Sequence, residues 1–170
     1  ARVSWNGSDN TMDTPITRVG RTNATSKPAL FLTAPHSGEW IPPEADWLSG
    51  VNPQVLLTDV DRFVDLLYAP AQEALDLPFI TTRVHRYAAD LNRLPEDVDL
   101  DSVEGSTHPS GTFTKGFHWV ATTRGEKLMT KPLSDEQHRD LVKKYHDPFH
   151  AEISKVIREL RSEQNDKTIY

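Results

Sequence analysis

The chain has 170 residues, no cysteine and a formal net charge of −6 at pH 7. This length suffices for one domain with a sizeable core and is too short to expect two. The acidic balance argues against a nucleic-acid or anionic-membrane surface, and no apolar run approaches the roughly 20 residues that span a bilayer. Without cysteine, any metal must be held by His and carboxylate side chains. The missing cysteines do not decide between cytoplasm and periplasm.

The first part of the chain predicts an arm, a strand and a helix. Residues 1–28 are polar and lack a sustained hydrophobic period, so we interpret them as a loosely packed N-terminal arm. The apolar run at 29–34 predicts a buried strand. Asn52 followed by Pro53 predicts the start of a helix, and its apolar period lasts until about Tyr68.

The middle of the chain predicts a second strand followed by a long irregular segment. Pro70 is expected to restart a short helical piece, and residues 79–84 are expected to form the strand. Residues 94–132 hold many Pro and Gly breakers. A loop of this length is usually functional or hides short strands, and residues 117–122 are the candidate strand.

The last part of the chain predicts a long helix. Ser134 and Gln137 have the spacing of a capping box that opens it, and Pro148 is expected to kink it. Residues 167–170 resemble the start of another strand. The order of elements predicts an α/β fold, a three-layer sandwich around a mostly parallel or mixed sheet. Ligands of such sheets bind at the carboxyl ends of the strands.

A candidate metal site directly follows the first predicted strand, in the segment P-H-S-G-E at 35–39. His36 and Glu39 can converge on one divalent cation, because imidazole and carboxylate are both zinc ligands. The small Ser-Gly step allows a sharp turn and the close approach of a ligand. The alternative is that both side chains are ordinary surface or hydrogen-bonded residues.

A second candidate is the acidic segment around Asp61. On the predicted helix Asp61 and Asp65 lie on one face, four residues apart. One interpretation is a solvated acidic face with Arg62 nearby. The other is that Asp61 points at the site, as a metal ligand or as the partner of a histidine.

A third candidate is the segment R-Y-A-A-D-L-N-R at 86–93, just past the second predicted strand. The planar guanidinium of an arginine matches a carboxylate through two parallel hydrogen bonds, and Asn92 beside Arg93 adds a neutral donor. The alternative is an ion pair, for instance Asp90 with Arg93. Further along, His146 and His150 have a spacing that can clamp a metal, although two histidines on a partly solvated helix face are the favoured explanation.

Four blocks of the sequence resemble the N-formylglutamate amidohydrolase family. Residues 35–38 resemble its opening P-H-[SA]-G, and residues 58–68 resemble its D-x-x-x-x-x-L-Y helix. Residues 86–93 are similar to its S-R-Y-V-V-D-L-N-R block, with His85 in place of the Ser. Residues 148–150 resemble its P-Y-H.

This resemblance spans residues 30–160 and implies a zinc-dependent amidohydrolase with the α/β fold of zinc carboxypeptidases. In that wider group an H-x-x-E pair supplies two zinc ligands, which implies His36 and Glu39. Many family members lack an acidic residue at the position of Glu39, so Asp61 is the rival ligand. The Asn-Arg pair of the third block binds the substrate carboxylate, which implies Asn92 and Arg93.

The family pattern continues with a strand that ends in D-x-H-S, whose His completes the metal site. That block would follow residue 170. We therefore expect residues 29–170 to be the N-terminal part of a single amidohydrolase-like domain that is incomplete in this chain. The expected partner is the C-terminal remainder of the same protein, and His150 is the alternative source of a third ligand.

The resulting prediction is a zinc-dependent amidohydrolase that cleaves an N-acyl amino acid similar to N-formylglutamate, or a peptide end that bears a free carboxylate. Zinc would polarise the amide carbonyl and acidify its water. Asn92 and Arg93 would hold the carboxylate, and Arg86 would stabilise the developing oxyanion. The alternative is a non-catalytic carboxylate- or peptide-binding module that has lost the complete metal site. Metal analysis of the purified protein separates the two.

Overall fold

The computed structural model describes residues 14–20 and 30–163. Their strands and helices are β1 (Ile16–Val19), β2 (Leu32–Ala34), α1 (Pro53–Leu56), α2 (Val64–Leu75), β3 (Phe79–Thr82), α3 (Asp135–Leu141) and α4 (Asp147–Glu163). A short 3₁₀ turn lies at Asp46–Leu48, and a π-helical turn at Val142–His146 joins α3 to α4. The predicted α/β class is confirmed. No helix in the described ranges combines the length and apolar character that crossing a membrane requires.

The three strands form a mixed sheet in the order β1-β3-β2. Strand β3 runs parallel to β2, with Phe79 opposite Leu32, and antiparallel to β1, with Thr82 opposite Ile16. The parallel pair is connected through α1 and α2, as a crossover requires. Strands β2 and β3 therefore end at the same edge, where the candidate site lies.

Helices pack on both faces of this sheet. Neighbouring residues of a strand point to opposite faces of the sheet. The contacts of Phe79 and Ile80 therefore show which helices cover each face. The Phe79 ring meets Tyr68 of α2 edge-on, with 6.4 Å between ring centroids. Ile80 lies in the main hydrophobic core with Leu141 and Phe149, at the end of α3 and in α4. The local arrangement is thus helix, sheet, helix; the likeness to zinc carboxypeptidases stays a prediction.

Strand β1 lies inside the segment that the sequence predicts as a loosely packed arm. It is only four residues long, and its two partly buried positions are Ile16 and Arg18, which explains why no hydrophobic period marks it. Its Arg18 donates hydrogen bonds to Glu152 at 2.9 Å and Glu159 at 2.6 Å, so charge pairing with α4 helps hold the strand.

The single helix predicted from residue 53 to residue 68 is wrong, because the chain leaves the helical path at 57–63. There the backbone N–H of Asp61 donates to the carbonyl of His36 at 3.0 Å, and Phe63 adopts a left-handed conformation with φ of 66°. The expected restart at Pro70 is also wrong, since α2 continues through it. Tertiary contact with the turn at His36 thus overrides the helical period.

The predicted helix starts are confirmed. The Asn52 side chain accepts a hydrogen bond from the Gln54 N–H at 2.8 Å. At α3 the Ser134 hydroxyl accepts from the Gln137 N–H, and the Gln137 side chain accepts from the Ser134 N–H, both at 3.2 Å. The second pair is the capping box that the sequence predicts.

The long helix predicted around Pro148 is divided by the π-helical turn at Val142–His146, and the kink predicted at Pro148 stays a prediction. Proline lacks an N–H and cannot bond the carbonyl four residues back. The turn instead closes with a bond from Asp147 N–H to Val142 C=O, five residues apart. Such turns are rare and often lie at functional sites.

Residues 94–132 are irregular, as predicted, but the strand expected at 117–122 is reduced to two isolated bridges, Lys115 with Trp119 and Ala121 with Lys127. Strand β3 also ends earlier than predicted, and Val84 forms only a bridge to Trp40. The strand predicted at 167–170, residue 29, and most of the predicted arm lie outside the described residues.

Candidate functional site

His36 lies in the turn that follows β2, at the carboxyl end of a strand. The turn needs Gly38, because a Cβ atom there would lie only 2.3 Å from the backbone carbon of Arg83. This close approach is to the segment after β3, and it brings the ends of the two parallel strands together. The sequence correctly predicts a sharp turn at Gly38. It predicts that a ligand approaches this glycine, whereas in the structure the backbone of Arg83 does.

Asp90 is the main partner of His36 and is a site residue that sequence reasoning missed. Its buried carboxylate receives four hydrogen bonds, from His36 Nε2 at 2.7 Å, Asn92 N at 3.0 Å, Arg86 Nη2 at 3.1 Å and Trp119 Nε1 at 3.0 Å. Burial alone would raise the pKa of Asp90. The hydrogen bond from His36 and the charge of Arg86 are among the contacts that outweigh burial and hold the pKa of Asp90 below its ordinary value.

The bond to Asp90 fixes which His36 nitrogen is available. A carboxylate accepts only, so Nε2 must carry the proton, and Nδ1 of the neutral ring then holds a lone pair. That Nδ1 lies 3.5 Å from Oδ2 of Asp61, whose side chain is 53% exposed. When the ring is neutral, these two acceptors face one another at a distance that a shared cation, either a proton or a metal ion, would bridge. The pair opens to solvent, which gives such a cation a path in.

The segment that carries Asp61 is anchored through Asp59. The Asp59 carboxylate accepts from the Tyr87 hydroxyl at 2.6 Å, from the Thr123 N–H at 3.1 Å and from the Thr123 hydroxyl. Burial would raise the pKa of Asp59, but these bonds outweigh it and lower the pKa. Together with the Asp61–His36 backbone bond, they set the position of Asp61 without a regular helix.

Glu39 turns to a different partner. Its carboxylate accepts from Nε of Arg62 at 2.7 Å, and both side chains are exposed. Of the two carboxylates that the sequence proposes as the second ligand, the structure therefore brings Asp61 next to His36 and pairs Glu39 with an arginine.

Arg86 lies beneath the site and is engaged on several sides. One guanidinium nitrogen donates to the carbonyl of Asp59 at 3.0 Å, another donates to Asp90, and the group lies over the ring of Trp119 at 4.6 Å. Its buried Nε has no hydrogen-bond partner among the described residues. The predicted oxyanion role stays a prediction, and these contacts show that Arg86 also braces Asp90.

Asn92 and Arg93 are exposed at the edge of the same segment. The Arg93 backbone N–H donates to the Asp90 carbonyl at 3.0 Å. Within the described part of the chain no carboxylate lies in ion-pair range of the Arg93 guanidinium, so the alternative pairing of Arg93 with Asp90 does not occur. The Arg93 guanidinium is thus exposed to solvent, while the Arg93 backbone is bonded to Asp90, the partner of His36.

His150 holds the loop that carries Asn92. Its Nε2–H donates to the carbonyl of Leu91 at 2.9 Å, and its ring lies against His146 with centroids 4.2 Å apart. Burial lowers the pKa of His150. The contact places His150 behind the loop; its role as a third metal ligand stays a prediction.

A hydrogen-bonded pair of histidines, His118 and His138, lies behind the site. The buried His118 donates through Nδ1 to the carbonyl of Ala88 at 2.6 Å, so its Nε2 accepts from Nδ1 of His138 at 3.0 Å. Burial lowers the pKa of His118 to about 3. No local motif marks these residues, and only the fold brings them together.

The described residues offer two of the ligands that a small divalent cation needs, but not a third. Imidazole nitrogen and carboxylate oxygen are zinc ligands, and two ligands of a tetrahedral zinc ion stand about 3.4 Å apart, close to the 3.5 Å between His36 Nδ1 and Asp61 Oδ2. Across residues 14–20 and 30–163, no group of three His, Asp or Glu side chains could hold a metal ion. The fit therefore rests on two ligands.

The described residues form a mixed α/β fold in which a histidine lies between two carboxylates at the carboxyl end of a parallel strand, where sheets of this kind usually bind their ligands. The chain belongs to the N-formylglutamate amidohydrolase family, whose sequence model matches residues 28–170. The resemblance seen in the sequence is thereby confirmed. No curated protein matches the chain.

Two solved structures share the fold. The chain is similar to an N-formylglutamate amidohydrolase from Ralstonia eutropha, with 22% sequence identity and a TM-score of 0.74 over 88% of this chain and 54% of that chain. It is also similar to a gene product from Agrobacterium tumefaciens, with 19% identity and a TM-score of 0.65 over 91% of this chain and 54% of that chain. The chain thus spans about half the length of these proteins.

Proposed function

We propose that the chain carries the metal-binding and carboxylate-binding part of an amidohydrolase that acts on N-formylglutamate or a similar N-acyl amino acid. The observation that carries this proposal is that His36 Nδ1 faces the Asp61 carboxylate at 3.5 Å while Nε2 is bonded to Asp90. A carboxylate behind a histidine ligand orients the ring and raises its basicity. Membership of the family supports the reaction class.

His36 and Asp61 would hold the metal, for which zinc is the candidate. Bound there, zinc would supply a Lewis acid for the amide carbonyl and would acidify a water molecule. In this proposal Asp61 replaces Glu39 as the favoured second ligand, because Glu39 is paired with Arg62.

The chain's own residues would position the substrate. Arg93 would bind the substrate carboxylate through two parallel hydrogen bonds, for which its exposed guanidinium is suited. Asn92, next to it, would add a neutral donor. His150 holds the carbonyl of Leu91 and would keep this pair in place. Arg86 would contribute positive potential beneath the amide, where charge develops.

The rival proposal is a carboxylate- or peptide-binding module without catalysis. It is favoured by the count of two converging ligands in the described ranges, since catalytic zinc usually has three protein ligands and a water. The two proposals differ in their metal requirement. A binding module holds the carboxylate ligand equally well with and without zinc.

The test compares the protein with His36→Ala, using His108→Ala as the matched control because His108 lies in the irregular segment and bonds the Val98 carbonyl. We expect zinc binding to be lost in His36→Ala and kept in His108→Ala, and formate release from N-formyl-L-glutamate to depend on zinc. Equal zinc content in all three proteins would contradict the metal site. Zinc-independent binding of N-formyl-L-glutamate without formate release would favour the binding module.

A further inference from the structure

The carboxylate of Asp90 is held from two sides, and each side has its own donors. On Oδ1 the donors are His36 Nε2 and the Asn92 N–H, and on Oδ2 they are Arg86 Nη2 and Trp119 Nε1. Because Asp90 is fully buried, no solvent can replace a lost donor. The orientation of Oδ1 toward His36 is therefore coupled to whatever holds Oδ2.

Trp119 is the donor whose geometry is most fixed. Its side chain is buried, with the ring packed against Tyr87 at 5.3 Å between centroids, and its backbone N–H donates to the Tyr87 carbonyl at 3.3 Å. An indole has a single N–H and no acceptor, so it cannot exchange its role with a neighbour. Arg86 lies over the same ring, and Trp119 therefore positions both donors of Oδ2.

We infer that Trp119 is a positioning residue for the site: its indole N–H holds Asp90 so that His36 keeps its proton on Nε2 and presents Nδ1 outward. The inference rests on the proposed function only in one respect, namely that the outward-facing Nδ1 of His36 serves as a metal ligand. The hydrogen-bond chain from Trp119 through Asp90 to His36 exists without any metal. A purely packing role for Trp119 would leave the protonation pattern of His36 unchanged when only the N–H is removed.

The test uses Trp119→Phe, which keeps an aromatic ring and removes the donor. The matched control is Trp47→Phe, because the buried Nε1 of Trp47 has no hydrogen-bond partner among the described residues. The first readout is the ¹⁵N NMR spectrum of His36 at pH 9 without metal, well above the ordinary histidine pKa of about 6.5. The second readout is zinc affinity by competition with a chelating dye.

We expect His36 to be the Nε2–H tautomer in the wild type and in Trp47→Phe. In Trp119→Phe we expect a mixture of both tautomers, because an Asp90 carboxylate held on Oδ2 by Arg86 alone turns Oδ1 away from Nε2 part of the time. Loss of a direct partner of a metal ligand typically costs about 10–100-fold in metal affinity. Trp119 acts one step further away, so we expect a smaller loss, about three- to tenfold, in Trp119→Phe only.

An unchanged His36 tautomer in folded Trp119→Phe would overturn the inference, and so would an equal shift in Trp47→Phe. If Trp119→Phe does not fold, replacing Trp119 by 3-benzothienylalanine keeps the two-ring shape and puts sulfur in place of the N–H, with the same expected tautomer mixture. The proposed function fails separately, when the wild type shows the expected tautomer and binds no zinc.

Discussion

Nε2 of His36 lies 2.7 Å from Oδ1 of Asp90, and this contact decides which face of the imidazole is free. The proton of a neutral ring is kept on the buried side, and the lone pair points to the exposed Asp61. A histidine in the turn after β2 thus becomes a potential ligand through a residue 54 positions further along the chain.

The first prediction concerns the buried charge. Asp90→Asn keeps the shape but replaces one acceptor by a donor and leaves Arg86 without its anionic partner. Breaking a buried ion pair in this way costs about 3–5 kcal/mol, so we expect a loss of about 3 kcal/mol in the free energy of urea unfolding at pH 7. The control Asp65→Asn, on the exposed side of α2, should stay within about 0.5 kcal/mol.

The pH dependence of that difference follows from the pKa of Asp90. Because the folded-state pKa lies below the unfolded value, the charged carboxyl stabilises the fold above a pH of about 4. This contribution is lost as the pH falls through the folded pKa. The stability gap between the wild type and Asp90→Asn should narrow in acid; a gap that widens would count against the assignment.

The second prediction separates the two candidate carboxylate ligands. Asp61→Asn should weaken zinc binding by more than tenfold, because it removes the anionic oxygen beside His36. Glu39→Gln should change zinc affinity less than threefold and affect only the exposed pair with Arg62. Isothermal titration with zinc measures both. The reverse order of effects would return the second ligand to Glu39.

The third prediction concerns substrate recognition. Arg93→Lys keeps the positive charge and loses the planar fork, so it should raise KM for substrates with a free carboxylate by about tenfold or more. The matched control is the same substrate with its carboxylates amidated, on which wild type and variant should be nearly equal. Equal losses on both substrates would mean that Arg93 does not read the carboxylate.

The fourth prediction concerns the buried histidine pair behind the site. The pKa of His118 is lowered to about 3 by burial, so between about pH 3 and 6.5 the unfolded chain binds a proton that the folded chain does not. Stability therefore rises with pH in this window, by about 1.4 kcal/mol per pH unit for one proton.

His118→Asn keeps a donor for the Ala88 carbonyl but cannot titrate. Urea unfolding at pH 4.5, 5.0, 5.5 and 6.0 should show a slope smaller by about one proton in this variant. The matched control is His108→Asn, which makes the same substitution at a partly exposed histidine outside the buried pair. A wild-type slope in His118→Asn would show that His118 is protonated in the folded state.

Sequence reasoning predicts the parts of the site that are local. The strand that ends before His36, the caps at Asn52 and Ser134 and the irregular 94–132 segment all follow from neighbouring residues, and the structure confirms them. The choice between Glu39 and Asp61 as second ligand could not be predicted from the sequence. The apolar period through residues 57–63 predicts a continuous helix, whereas the chain leaves the helix there and Asp61 lies beside His36.

Long-range partners explain the rest. Asp90 and Trp119 are 29 positions apart, and Trp119 stands in a segment whose only regular features are isolated bridges. An aspartate beside arginines suggests a surface ion pair as readily as a buried four-donor carboxylate. Only the packing of the segment after β3 against residues 117–122 distinguishes them.

The proposed metal site at His36 and Asp61 can be tested directly in a crystal of the protein loaded with zinc and measured at the zinc absorption edge. We expect an anomalous peak bonded to Nδ1 of His36 and to the carboxylate of Asp61, at the usual zinc distances of about 2.0–2.2 Å, with Asp90 still bonded to Nε2. A peak on Nε2 of His36, or bound zinc with both His36 and Asp61 out of reach, would contradict it.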